Sequence, residues 1–174
     1  MTQRTILGFL AVCALVACQG DDDGDVESAS QGWRAASKAM TSGQQQFESE
    51  VEIGAEGQIT ASCPEGGAVS IDGRMDDLTV FELNIAFDAC QSDGVQVDGE
   101  LAFDATVQTT DTSAEVRFDY VGQLELTGDV EMSCSIDATG RVAASSDGHM
   151  SSAEVSFSGN ICGADANAVV RAST

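Results

Sequence analysis

Four isolated cysteines, one histidine and a large excess of carboxylates are the side chains of this chain that could do chemistry. Cys63, Cys90, Cys134 and Cys162 form no Cys-x-x-Cys pair, the spacing that places two thiolates on one zinc ion. His149 is the only histidine, which excludes sites built from several imidazoles. Its surroundings, Ser146-Asp147-Gly148-His149-Met150, read as an exposed turn. Gly-x-Ser-x-Gly is absent, and no glycine-rich phosphate loop opens a helix. Asp and Glu number 29 against 7 Lys and Arg, a net charge of −22. Paired carboxylates can hydrolyse glycosides, but here they alternate with apolar residues, as on a solvated face. The Gly20-Asp21-Asp22-Asp23-Gly24-Asp25 run has the composition of a calcium loop without its closing Glu, and reads as a self-repelling spacer. With Lys38 the single lysine, nucleic acid is excluded as a partner. The expectation is a chain that is not an enzyme and uses no metal or cofactor.

The leader says where the chain goes. Arg4 precedes an uninterrupted run of small and apolar residues, Ile6 to Ala17. That run is too short to cross a hydrocarbon core of about 30 Å and fits the apolar region of a secretory signal. It ends Leu15-Val16-Ala17-Cys18, which resembles the lipobox of bacterial lipoproteins. The resemblance covers the leader alone. It implies cleavage before Cys18, a diacylglyceryl group on the Cys18 thiol and further acylation of the new N-terminus. Several acyl chains make such an anchor stable, since each buried CH₂ contributes about 0.8 kcal/mol. Gln19, where the enterobacterial retention signal has Asp, implies the outer membrane. The expected organisation is a signal peptide over 1–17, a lipidated Cys18 with its acidic tether over 18–27, a helix over 28–43 and one β domain over 44–174.

An exported chain also predicts disulfides. With Cys13 in the leader and Cys18 lipidated, four cysteines remain, and four permit three pairings. Cys63 to Cys90 and Cys134 to Cys162 have nearly equal separations, and their flanks match. Gly57-Gln58-Ile59-Thr60-Ala61-Ser62-Cys63 aligns with Gly128-Asp129-Val130-Glu131-Met132-Ser133-Cys134. The stretches 57–90 and 128–162 therefore read as an internal duplication, each with its own bond: Cys63–Cys90 and Cys134–Cys162. The pairing of Cys63 with Cys134 and Cys90 with Cys162 would stabilise by a similar amount, so energy does not choose between them. Phase adds a condition. Cys90 and Cys162 each follow an inward residue, Ala89 and Ile161, so each must sit at a bulge or a strand end.

The elements that position these residues follow from periodicity. Trp33, Ala36, Ala39 and Met40 give one apolar side to a helix capped by Ser28 or Ser30 and stopped at Gly43. From Phe47 onwards the period is two. Phe47, Val51 and Ile53 open the pattern; Phe81, Leu83, Ile85 and Phe87 continue it, then Val95 to Val107, Val116 to Leu126, and Val155 to Ile161. Turn signals separate the runs, among them Ser92-Asp93-Gly94, Gly128-Asp129, Asp137 to Gly140 and Ser145 to Gly148. The expected fold is mainly β: an antiparallel meander of nine or ten strands forming a sandwich or a (half-)barrel, with one short N-terminal helix. Aromatics at 5% are too few for the girdles of a transmembrane barrel.

Two functions fit this chain. One is a noncatalytic binding or structural module on the envelope, in contact with the membrane through its lipid. The other is a carrier holding an apolar ligand or lipid in a concave half-barrel. Inward volume decides between them. Phe81, Phe87, Phe103, Phe118, Tyr120 and Phe157 fill space, while Gly99, Ala105 and Gly122 leave it.

Overall fold

The computed structural model describes residues 24–50, 56–76, 79–110, 112–146 and 151–174. Helix α1 (Gly24–Glu50) precedes eight strands: β1 (Glu56–Ser62), β2 (Gly66–Asp76), β3 (Val80–Ser92), β4 (Val95–Thr109), β5 (Ser113–Gly128), β6 (Met132–Ser146), β7 (Ser151–Ile161) and β8 (Ala164–Asp165). Helix α2 (Ala166–Ser173) ends the chain. The strands form one antiparallel sheet in chain order, each paired with the next. The chain is thus mainly β, a single meander.

Alternation builds the sheet. Along β4, buried Val95, Val97, Leu101, Phe103 and Ala105 interleave with outward Gln96, Asp98, Glu100 and Asp104. The same parity carries across neighbours, so Ile59, Ile71, Ile85, Leu101, Gly122, Ile136 and Ile161 share one transverse row. One face is therefore apolar throughout, and α1 lies on it. Buried Ala29, Trp33, Ala36, Met40, Gly43 and Phe47 recur at alternating steps of four and three, a stripe that turns to the sheet.

Several sequence expectations change at this point. The helix runs beyond 28–43 at both ends, so Asp25 belongs to it rather than to the tether. Gly43 does not stop the helix. A Cβ there would meet Ile71 Cδ1 at 2.8 Å and Val69 Cγ1 at 3.2 Å, so the glycine is where β2 presses closest. Phe47 is helical, four residues after Gly43 on the same stripe, and is 2% exposed. The remaining members of that first supposed strand, Val51 and Ile53, lie outside the described residues. Asp137 to Gly140 is not a turn but the middle of β6, with Gly140 paired to Phe118 of β5. With these two changes, the described residues form eight strands rather than nine or ten.

Helix α2 was not anticipated. Asp165 caps it, its side chain accepting the Ala168 N–H at 3.0 Å, and Ala166 and Val169 are its buried residues. Arg34 of α1 donates through Nε to the Ser173 carbonyl at 2.9 Å and through Nη2 to that of Ala172 at 3.2 Å, satisfying the last turn of α2. The two helices thereby lock together.

Candidate functional site

Two disulfides lie at the end of the sheet that carries the β3–β4 hairpin. Cys63, just past β1, is bonded to Cys90 in β3 with Cα atoms 5.5 Å apart; Cys134 in β6 is bonded to Cys162, just past β7, at 4.1 Å. The phase condition is met differently in each. In β3 the register shifts between Phe87 and Cys90, so Asp88 and Ala89 together oppose Asp98, and Ala89 has φ 46°. The Asp98 carboxylate accepts the Ala89 N–H at 2.7 Å, which satisfies the donor released by this bulge. Cys162 has φ 54° and with Gly163 (φ 86°) makes the two-residue turn between β7 and β8. The sulfur turns inward because the strand has already ended. Each bond closes one hairpin, β2–β3 or β6–β7. The stretches differ in one respect: Pro64 to Gly67 turns the chain after Cys63, whereas β6 continues straight through Ser135 to Ala138.

The inward face is occupied. Trp33 of α1 meets Tyr120 edge-on at 5.3 Å between ring centroids. From there Phe103 (4.9 Å from Tyr120), Phe118 (5.7 Å from Tyr120) and Phe157 (5.6 Å from Phe118) continue a contiguous aromatic cluster across β4, β5 and β7. Leu126 of β5 reaches the place where Gly32 has no Cβ, so that side chain packs directly on the helix backbone. The space left between Met40 and Gln44 of α1 and Ile71, Leu83, Ile85, Phe103 and Tyr120 of the sheet is about 20 Å³. That is room for about one water molecule, against some hundreds of Å³ in a typical ligand pocket.

The outward face carries the charge. Asp98 lies opposite Glu125, and Asp104 stands between Glu82 and Asp119, so three like-charged pairs face one another across two ladders. Partial compensation comes from Arg74 to Glu82 at 3.1 Å and from the Thr139 hydroxyl, which donates to Asp119. Glu115 is the exception, accepting from Arg117 Nε at 2.5 Å and Arg141 Nη2 at 2.6 Å. Hydrogen bonds from Arg141 and then Arg117 pull its carboxyl down to about 2, and the same contact raises Arg141. Among the described residues, no group of three His, Cys, Asp or Glu side chains converges as a metal site would.

Of the residues singled out in the sequence, the structure brings Cys63 to Cys90 and Cys134 to Cys162. Cys18, the acidic run through Asp23 and His149 lie outside the described residues. The bulge carboxylate Asp98 and the glycines at close approach escape a sequence reading. Only parity at Ala89 hints at the first, and nothing local marks the second. Comparison with protein families, with curated proteins and with solved structures finds no match for this chain.

Proposed function

We propose that this chain is a lipid-anchored lipoprotein of the bacterial cell envelope, held at the outer membrane by Cys18, and that its β domain is a noncatalytic binding or structural module. The anchor rests on Leu15-Val16-Ala17-Cys18 closing an apolar leader. The module reading is carried by one observation: α1 covers the apolar face of the sheet, and the pocket between Met40, Gln44 and the sheet holds only about 20 Å³. A carrier of lipid or another apolar ligand would need that side open. We read the sheet as a half-barrel whose open side is closed by its own helix.

Helix α1 starts at Gly24, close behind Cys18 in sequence. Even fully extended, that connection reaches only about 20 Å, so the domain sits against the membrane it is tied to. The test is palmitate labelling with membrane fractionation. Cys18→Ser should abolish incorporation and leave the protein unprocessed or soluble, and unchanged fractionation would remove the anchor from the reading. Mass spectrometry of the purified native protein tests the module: a stoichiometric apolar adduct on the folded domain, beyond the acyl chains, would favour the carrier.

A further inference from the structure

We infer that the outer edge of β7 is an interface for a second copy of this chain, the two β7 strands pairing antiparallel about a two-fold axis at Val155. β8 covers β7 only at Asn160 and Ile161. Among the described residues, no strand lies outside Ser151 to Gly159, and α2, which packs against β7, makes no backbone hydrogen bond to it, so this stretch presents unpaired backbone groups. The ladder says which ones. Cys162 N–H donates to the Ser135 carbonyl at 2.9 Å, which makes 135 and 162 a hydrogen-bonded pair. Bonded pairs alternate in an antiparallel ladder, so Asn160, Ser158, Ser156, Glu154 and Ser152 bond to β6. Ser151, Ala153, Val155, Phe157 and Gly159 therefore aim N–H and C=O at the open edge.

The side chains on that edge complement themselves. With the two-fold axis at Val155, Ala153 of one copy lies opposite Phe157 of the other, and Glu154 opposite Ser156. On the concave side, Val107, Val116, Val142 and Val155 form one row, which would continue into the same row of the second copy. Phe157, which is half-buried, would cover Ala153, which is exposed although it faces inward. On the outer side, Ser156 lies beside Arg141 in the ladder. Arg141 is held by Glu115 on the β5 side, and the small serine leaves nothing bulky between that guanidinium and Glu154 of the second copy.

Charge permits a second copy at this edge. The chain carries −22, which repels a second copy over most of the surface. Yet Glu154 is the one charged residue from Ser151 to Gly159, and Arg117 and Arg141 share the adjoining rows of β5 and β6. Moving the axis one residue toward the N-terminus would set Glu154 against its own copy, so the axis at Val155 is also the better one electrostatically. The edge has neither the proline nor the lysine with which free edges are blunted.

Sedimentation of the full-length chain in mild detergent, from about 1 to 100 μM, reads the association directly. The expected result is a concentration-dependent dimer. Ala153→Pro removes an outward N–H without touching the β6 ladder, so circular dichroism and thermal midpoint should stay near wild type. The dimer then loses a bond at each of two symmetric positions, and its Kd should rise about thirtyfold. Val155→Cys should cross-link through its own symmetry mate, since bonded pairs hold Cα atoms about 5.5 Å apart. A chain that stays monomeric throughout overturns the inference. A dimer indifferent to Ala153→Pro, or one in which Val155→Cys fails to cross-link, overturns the assigned edge or axis.

Discussion

Gly140 lies in mid-strand with the Phe118 ring packed on its backbone, and replacing it by alanine sets two effects of known size against each other. Alanine in a strand loses less backbone entropy than glycine, a gain of about 0.5–1 kcal/mol. Against that, a Cβ at position 140 would meet Phe118 Cδ2 at 2.9 Å and overlap Cε2 and Cζ of the same ring. The ring cannot simply swing away. Phe118 is 5% exposed and is held by Phe103 at 6.2 Å, Tyr120 at 5.7 Å and Phe157 at 5.6 Å. Overpacking of this kind costs about 1–3 kcal/mol, occasionally more, so steric cost should win and Gly140→Ala should destabilise by about 1–2 kcal/mol net. The decisive measurement is the double-mutant cycle with Phe118→Leu, which removes the ring atoms that clash. In that background Gly140→Ala should be neutral or stabilising, a coupling of about 1–2 kcal/mol. Urea unfolding with the disulfides intact supplies the free energies. Trp33, the single tryptophan, reports on the cluster from its contact with Tyr120. Equal costs of Gly140→Ala in the two backgrounds would refute the role given to the ring.

Four further outcomes are expected. Non-reducing peptide maps of the exported protein should link Cys63 to Cys90 and Cys134 to Cys162, and losing either bond should cost roughly 3.5 kcal/mol in the chain-entropy treatment; a peptide joining Cys63 to Cys134 would overturn the pairing. Because folding lowers the Glu115 carboxyl, its contribution is complete above the usual carboxylate range and disappears as pH falls from there toward about 2. Denaturation titrations should show that acid-side loss in wild type and its absence in Glu115→Gln. Asp98→Ala leaves the Ala89 N–H at the bulge without its acceptor and should cost about 1–3 kcal/mol by denaturation; a fully stable variant would remove the carboxylate from its role there. Screening the facing pairs Asp98–Glu125, Glu82–Asp104 and Asp104–Asp119 with NaCl should raise the thermal midpoint, each pair being worth about 0.2–1 kcal/mol. A midpoint that falls with salt would contradict this, and one that rises with micromolar calcium would indicate a bound ion instead.

Strand positions were legible because burial on one face writes a period of two directly into the sequence, as in Phe81 to Phe87 and Val116 to Leu126. The cysteine phase was legible for the same reason. Cys90 and Cys162 break the parity of their strands, and a side chain out of phase needs a bulge or an end, which Ala89 and Cys162 supply with positive φ. The end of α1 was less so. Phe47 satisfies both the helical stripe from Met40 and Gly43 and the alternation with Glu48 and Glu50, and only its packing chose between them. Helix α2 had signals that were available: Asp165 as cap, Ala166, Val169 and Val170 at helical spacing, and Arg171 in the last turn. Eight residues of weak pattern at a chain end do not form a helix by themselves. What holds this one is contact with α1 and the carbonyl caps from Arg34, residues far away in sequence.

Glycine shows why the rest could not be read locally. Gly94 marks a turn: with Asp93 it has positive φ, and the two residues connect β3 to β4 as an Asp-Gly pair should. Gly43 and Gly140 stand in comparable polar settings, Thr-Ser-Gly-Gln and Ala-Thr-Gly-Arg, yet neither ends its element. Their reason lies across the interface, in the Ile71 and Val69 side chains for one and the Phe118 ring for the other. A turn glycine is required by its own φ and ψ, which the adjacent residues share in setting. A packing glycine is required by the volume of a neighbour some twenty or more residues distant, and its own φ can be that of any residue. Local sequence therefore carries the first requirement and not the second. An interrupted element at a glycine should be read from sequence only where the apolar period on its two sides also changes phase. At Gly43 it does not, because Phe47 continues the stripe of Met40; at Gly140 it does not, because Val142 continues the alternation of Ile136 and Ala138.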